Sequence, residues 1–147
     1  VADLIAQYQV PCCLMHNKDE AVYNDFLEDM VSEMAECVKI AREAGVADDK
    51  IMLDPGVGFG KTYEMNLAAI NHVDVLHRLG FPILLGTSRK SVIGNTLNLP
   101  ADQRVEGTLA TTVIGVMKNC AFVRVHDIKE NKRAILMTEA ILGRNIK

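Results

Sequence analysis

In the stretch LDPGVGFGKT, residues 53 to 62, a carboxylate stands directly before a glycine-rich turn. The turn invites comparison with a phosphate loop, and its spacing excludes one. A Walker A loop sets four residues between its first glycine and the Gly-Lys-Ser/Thr end, whereas Gly56 and Gly60 enclose only three. A dinucleotide fingerprint runs G-x-G-x-x-G, whereas these glycines run G-x-G-x-G. That leaves Asp54. A carboxylate at a pocket floor accepts two hydrogen bonds from the N–H/NH2 edge of a heterocycle, and neighbouring glycines let the backbone pass close to a flat ligand. The plainer alternative is a turn, because Asp-Pro starts turns readily. Lys61 reads as a solvated charge near the next helix start.

Two further groups suit an anion. Ser88, Arg89 and Lys90 open a helix, where free N–H groups and two cations could hold an oxyanion; a surface cap with basic neighbours is the alternative. Arg124 and His126 lie two apart on one strand and therefore face the same side, with Val125 pointing the other way. On the inward face of a buried strand they need partners, which a phosphate, a pyrophosphate or a core carboxylate would supply. His72 and His77 read as ordinary helix residues. No three residues have a convincing zinc spacing, and no G-x-S-x-G nucleophile elbow occurs.

The elements that must carry these groups alternate. Short apolar runs at 10–16, 50–54, 82–86 and 121–127 read as strands. Helical patterns follow at 22–44, 62–79, 101–119 and 129–143, with a polar turn and loop between the third strand and its helix. Phe26, Met30, Met34, Cys37, Val38 and Ala41 make one apolar stripe, and Gly45 stops that helix. Thr62 is placed to cap the next one, which Gly80 closes. Four strands each followed by a helix predict a parallel α/β sheet. His16 and Asn17, Asp54, Ser88 to Lys90, and Arg124 to Asp127 then all fall at the C-terminal strand ends, where ligands bind in such sheets.

At 147 residues with 49% hydrophobic and 24% charged residues, one soluble domain over 1–147 is expected. A net charge of −3 argues against nucleic acid. No apolar run reaches the roughly 18 residues of a membrane helix. Cys12, Cys13 and Cys120 fall in apolar runs, and with Cys37 they form no C-x-x-C pair, which predicts buried free thiols in a reducing cytoplasm. Val1 lies inside a helical pattern, so the natural start is expected upstream.

The segments CLMHN, LDPGVGFGK, GTSRKSVIG and FVRVHD, in this order and spacing, resemble the dihydropteroate synthase family of folate biosynthesis. The resemblance implies an α/β fold, the C-terminal half (strands five to eight with their helices) of a TIM (β/α)8 barrel. It implies condensation of 6-hydroxymethyl-7,8-dihydropterin pyrophosphate with p-aminobenzoate to 7,8-dihydropteroate and pyrophosphate, with no nucleic-acid or membrane partner.

Carried over by motif, Asp54 and Lys90 would hold the pterin, with Met15 and Gly86 forming its slot. Phe59 and the Lys90 stem would pack on the p-aminobenzoate ring, Ser88 would stand near its carboxylate, and Arg89 belongs to the same motif. Arg124 and His126 would bind the leaving pyrophosphate. The family uses Mg2+, whose expected protein ligand lies in an NxTPDSF loop; neither that loop nor the family's GGESTRPG loop is among these 147 residues. The chain alone is therefore expected to be catalytically incomplete and to self-associate through its open edges. A pterin-binding methyltransferase domain and a non-catalytic half-barrel assembly module are the alternatives. The first is disfavoured because it has no pyrophosphate for Arg124 and His126.

Overall fold

The computed structural model describes residues 1–144, so the last three residues of the domain expected over 1–147 lie outside the described residues. Helix α1 (Ala2–Tyr8) leads into strand β1 (Cys12–Met15), and helix α2 (Phe26–Glu43) into strand β2 (Ile51–Asp54). Then come α3 (Tyr63–Asn71), β3 (Leu84–Leu85), α4 (Ser91–Leu97), α5 (Val105–Met117), β4 (Phe122–Val123) and α6 (Ile128–Ile141). β1 pairs parallel with β2, Cys12 opposite Ile51, and β3 pairs parallel with β4, Leu84 opposite Phe122. A parallel bridge between Leu53 and Ile83 joins the two pairs in chain order.

The strands are shorter than their apolar runs, for reasons visible in the backbone. At the start of the first run, Val10 gives its N–H to the Ile5 carbonyl of α1, and Pro11 has no N–H to give. In the last run, the Arg124 N–H still bonds Leu85, but the His126 N–H turns to the Ser88 hydroxyl and the ladder ends.

Helix boundaries move for equally local reasons. α2 begins at Phe26, the first residue of the apolar stripe and four residues later than the expected start at 22, because extended Asp25 caps the Glu28 N–H. It ends as expected: Gly45 at φ 98° bonds back to Arg42, and Val46 bonds back to Ala41. Thr62 caps α3 through the Met65 N–H. The expected long helix breaks at His72 into a 3₁₀ segment, Val73–Leu79, whose i, i+3 eclipse buries Val73 and Leu76 together. Likewise a 3₁₀ turn at Ala101–Gln103 precedes α5.

The core lies between the strands and the helices. Met30, Met34 and Val38 of α2 share one core cluster with Ile51 and Leu53 of β2, and Ile83, Leu85, Ile70, Leu76 and Ile93 continue it. Burying each such side chain contributes about 1.5–3 kcal/mol. Strand residues alternate, so the opposite face shows Cys13, Met15 and Phe122 to solvent. This corrects the expectation that Cys13 is buried; Cys12, Cys37 and Cys120 are partly buried, and all four thiols are free. No helix among the described residues is long and apolar enough to cross a membrane.

Candidate active site

The residues singled out at the strand ends come together. Met15, Asp54, Phe59, Gly86, Ser88, Lys90, Arg124 and His126 line one cavity of about 330 Å³. Of the expected set, Arg89 alone is not in that lining; its guanidinium is held by Asp127 at 3.0 Å. Arg124 and His126 do share a face, but both are exposed rather than buried, so the argument that desolvation demands a partner for them fails.

Asp54 ends β2 half-buried. Its Oδ1 accepts the Gly56 N–H at 2.7 Å, which closes the Asp-Pro-Gly turn. Burial raises its pKa, against that hydrogen bond and the charges of Lys90, Lys61 and Arg124. Across the cavity, Lys90 donates to the Val57 carbonyl at 2.7 Å and stands over the Phe59 ring, 5.1 Å from its centroid. Burial lowers the Lys90 pKa, with Asp54 pulling it back up. The wall thus offers a carboxylate acceptor, an ammonium donor and an aromatic face.

The side of the cavity that carries His126 is built on Ser88. Its hydroxyl oxygen accepts the His126 main-chain N–H at 3.1 Å and lies 2.8 Å from the ring Nδ1. Arg89, at φ 59°, turns the chain between β3 and α4. Its N–H goes to the Thr108 hydroxyl and its carbonyl accepts Arg104 Nη1 at 2.7 Å, so α5 and the residue before it hold the turn.

Sequence reasoning missed the support beneath the glycine turn. Lys61 is not a solvated charge. Its ammonium donates to the Gly56 and Phe59 carbonyls, both at 3.0 Å, and meets His16 Nδ1 at 2.8 Å. Burial pushes its pKa down to about 8. His16, only 2% exposed, turns its Nε2 to Glu33 of α2 at 2.9 Å, and burial lowers its pKa against that bond. The glycines are required for this packing. A Cβ on Gly56 (φ 69°) would lie 1.8 Å from the His16 carbonyl oxygen, and one on Gly60 (φ 59°) 2.4 Å from that of Lys18. The signal that could have led to Lys61 is the turn's row of carbonyls, each needing a donor.

A parallel α/β frame with carboxylate, ammonium and guanidinium groups around a cavity at its C-terminal strand ends has the layout in which such sheets bind small molecules. More narrowly, the chain belongs to the pterin binding enzyme family, whose pattern matches residues 1–126. A dihydropteroate synthase of Clostridium beijerinckii is 58% identical over 145 residues, which are 98% of this chain and 54% of that protein. A crystal structure of the Clostridium difficile dihydropteroate synthase in the presence of pteroic acid superposes with a TM-score of 0.93 at 46% identity, over 95% of this chain and 54% of that one. The Xanthomonas albilineans enzyme with 4-aminobenzoic acid gives 0.92 at 31% identity, over 98% and 54%. The chain thus spans about half the length of the relatives it matches.

Proposed function

We propose that this chain supplies the C-terminal half-site of a dihydropteroate synthase, strands five to eight of a (β/α)8 barrel. The observation that carries the reading is the cavity itself: Asp54 and Lys90 face Gly86 from two strand ends, beside Phe59, with Ser88, Arg124 and His126 on the same lining. Asp54 accepts from the pterin pyrimidine edge, Lys90 donates to the pterin, and Met15 and Gly86 shape its slot. Phe59 and the Lys90 stem pack on the p-aminobenzoate ring, with Ser88 toward its carboxylate. Arg89 acts through the backbone turn that it occupies.

In the reaction, the methylene C–O bond breaks with its electron pair passing to pyrophosphate. Arg124 and a proton-donating His126 offset the charge that builds there. The p-aminobenzoate amine then forms the C–N bond and loses a proton. The Mg2+ that the family resemblance implies does not fit the residues at hand. Asp54 is the sole carboxylate in the cavity lining, its Oδ1 is engaged by Gly56, and no three metal-ligating side chains cluster among the described residues. No step is routed through the ion.

β1 and β4 each pair on one side only among the described residues, and Phe122 on the face away from the helices is 49% exposed. A polypeptide of these 147 residues is therefore expected to self-associate, and it functions among cytoplasmic folate enzymes. The test is a pyrophosphate-release assay with pterin pyrophosphate and p-aminobenzoate, run beside titration of each. Pterin binding without release supports the half-site. Release at rates of about 1 s⁻¹ or more, ordinary for enzymes, contradicts its incompleteness. Absence of any pterin binding contradicts the site.

A further inference from the structure

The turn from Gly56 to Gly60 belongs to no strand or helix, yet it carries Phe59 and donates its Gly56 N–H to the Asp54 carboxylate. Side chains from four places tie it down. Asn66 accepts the Gly58 N–H, Tyr23 donates to the Gly60 carbonyl, Lys90 donates to Val57, and Lys61 takes the carbonyls of both Gly56 and Phe59. Lys61 thus brackets the segment that presents the aromatic ring.

Its three N–H groups match three acceptors: the two carbonyls and His16 Nδ1. His16 can accept there because its other nitrogen gives its proton to Glu33, which Lys18 also holds at 3.0 Å. A relay of side chains therefore runs from the exposed side of α2 to the underside of the turn. The charges facing Lys61 are Asp54 and Glu33, which favour the ammonium, and Lys90, which opposes it. Lys61 itself does not line the cavity.

We propose that Lys61 is a positioning residue for ligand binding: its ammonium, oriented by the His16–Glu33 pair, fixes the 56–60 turn so that Phe59 and Asp54 stand at the cavity wall. The proposal rests on the reading of that cavity as the pterin and p-aminobenzoate half-site. A site held within about 0.5 Å by buried supports loses affinity when a support is removed, even where the ligand-touching groups remain.

The test uses Lys61→Ala in the 147-residue chain. NMR amide exchange reads the turn without any ligand, and calorimetry reads pteroic acid affinity. Protection at Gly56 and Phe59 is expected to fall about ten-fold or more while Leu53 and the α2 amides keep theirs. Pteroic acid affinity is expected to fall by a similar factor, about ten-fold. Added ethylammonium restores both readouts and ethanol restores neither, because the charge and donors matter rather than the filled space.

Turn protection and affinity within about two-fold of the parent overturn the proposal, as does equal rescue by ethanol. Should Lys61→Ala lose protection throughout, Glu33→Leu decides, since it removes the far end of the relay from a partly exposed position. Loss of turn protection in Glu33→Leu with α2 intact supports the proposal, and an unchanged turn overturns it. A parent chain that does not bind pteroic acid overturns the half-site reading and with it the ligand role of Lys61. The exchange arm then still reports whether Lys61 holds the turn.

Discussion

Asp54 and Lys90 approach each other across Gly86: a Cβ built on that glycine would lie 3.9 Å from both Asp54 Oδ2 and Lys90 Nζ. That distance is ordinary van der Waals contact, so the fold has room for a methyl group where a ligand would lie. Gly86→Ala is expected to leave stability unchanged or raise it by about 0.4–1 kcal/mol, because it restricts the unfolded chain. Pteroic acid affinity should fall about ten-fold in the same protein. Urea melts and calorimetry on one sample check both halves.

Gly56 is the opposite case. At φ 69°, with the His16 carbonyl 1.8 Å from any Cβ, Gly56→Ala forces backbone to move. The expected loss is about 2 kcal/mol or more in chemical denaturation, since strain and a clash with backbone combine. A melt indistinguishable from the parent's contradicts the packing of the turn on β1.

Arg89 sits at φ 59° and pairs with Asp127 while both remain partly exposed. Arg89→Ala loses the pair and keeps the strain, so about 1 kcal/mol of destabilisation is expected. Arg89→Gly loses the same pair and relieves the left-handed backbone. It should fall closer to the parent than the alanine variant does. Equal melts for the two substitutions contradict strain at this turn.

Lys61 gives a pH dependence with a definite sign. Burial lowers its pKa from 10.5 to about 8, so between those values the folded chain holds fewer protons than the unfolded one. Stability therefore rises with pH from about 8 to 10.5 on this account, and Lys61→Met abolishes that part of the slope. Denaturant midpoints measured across that window decide it; a slope retained in Lys61→Met assigns it elsewhere.

Much of this was legible in the sequence because residue type and position carried the information locally. Thr62 capped the helix that it was placed to cap, Gly45 stopped α2, and Asp54, Lys90, Arg124 and His126 line one cavity. What was not legible depends on partners far apart in the chain. Lys61 meets a histidine 45 residues away, and no periodicity marks that pair. The last strand shrank because Ser88, 38 residues earlier, takes the His126 N–H. The exposure of Cys13 and Arg124 follows from a sheet face that no helix covers among the described residues, while an apolar run by itself cannot tell a covered face from an open one.

The central claim is that Asp54 grips a pterin, and calorimetric titration of pteroic acid into the parent chain and Asp54→Asn tests it most directly. Because burial raises the Asp54 pKa, its charge is held at a cost to folding, so Asp54→Asn should be at least as stable as the parent at neutral pH. Its pteroic acid affinity should fall about ten-fold or more, the loss expected when a charged hydrogen-bond acceptor is removed. Equal affinity in a folded Asp54→Asn protein would contradict the account.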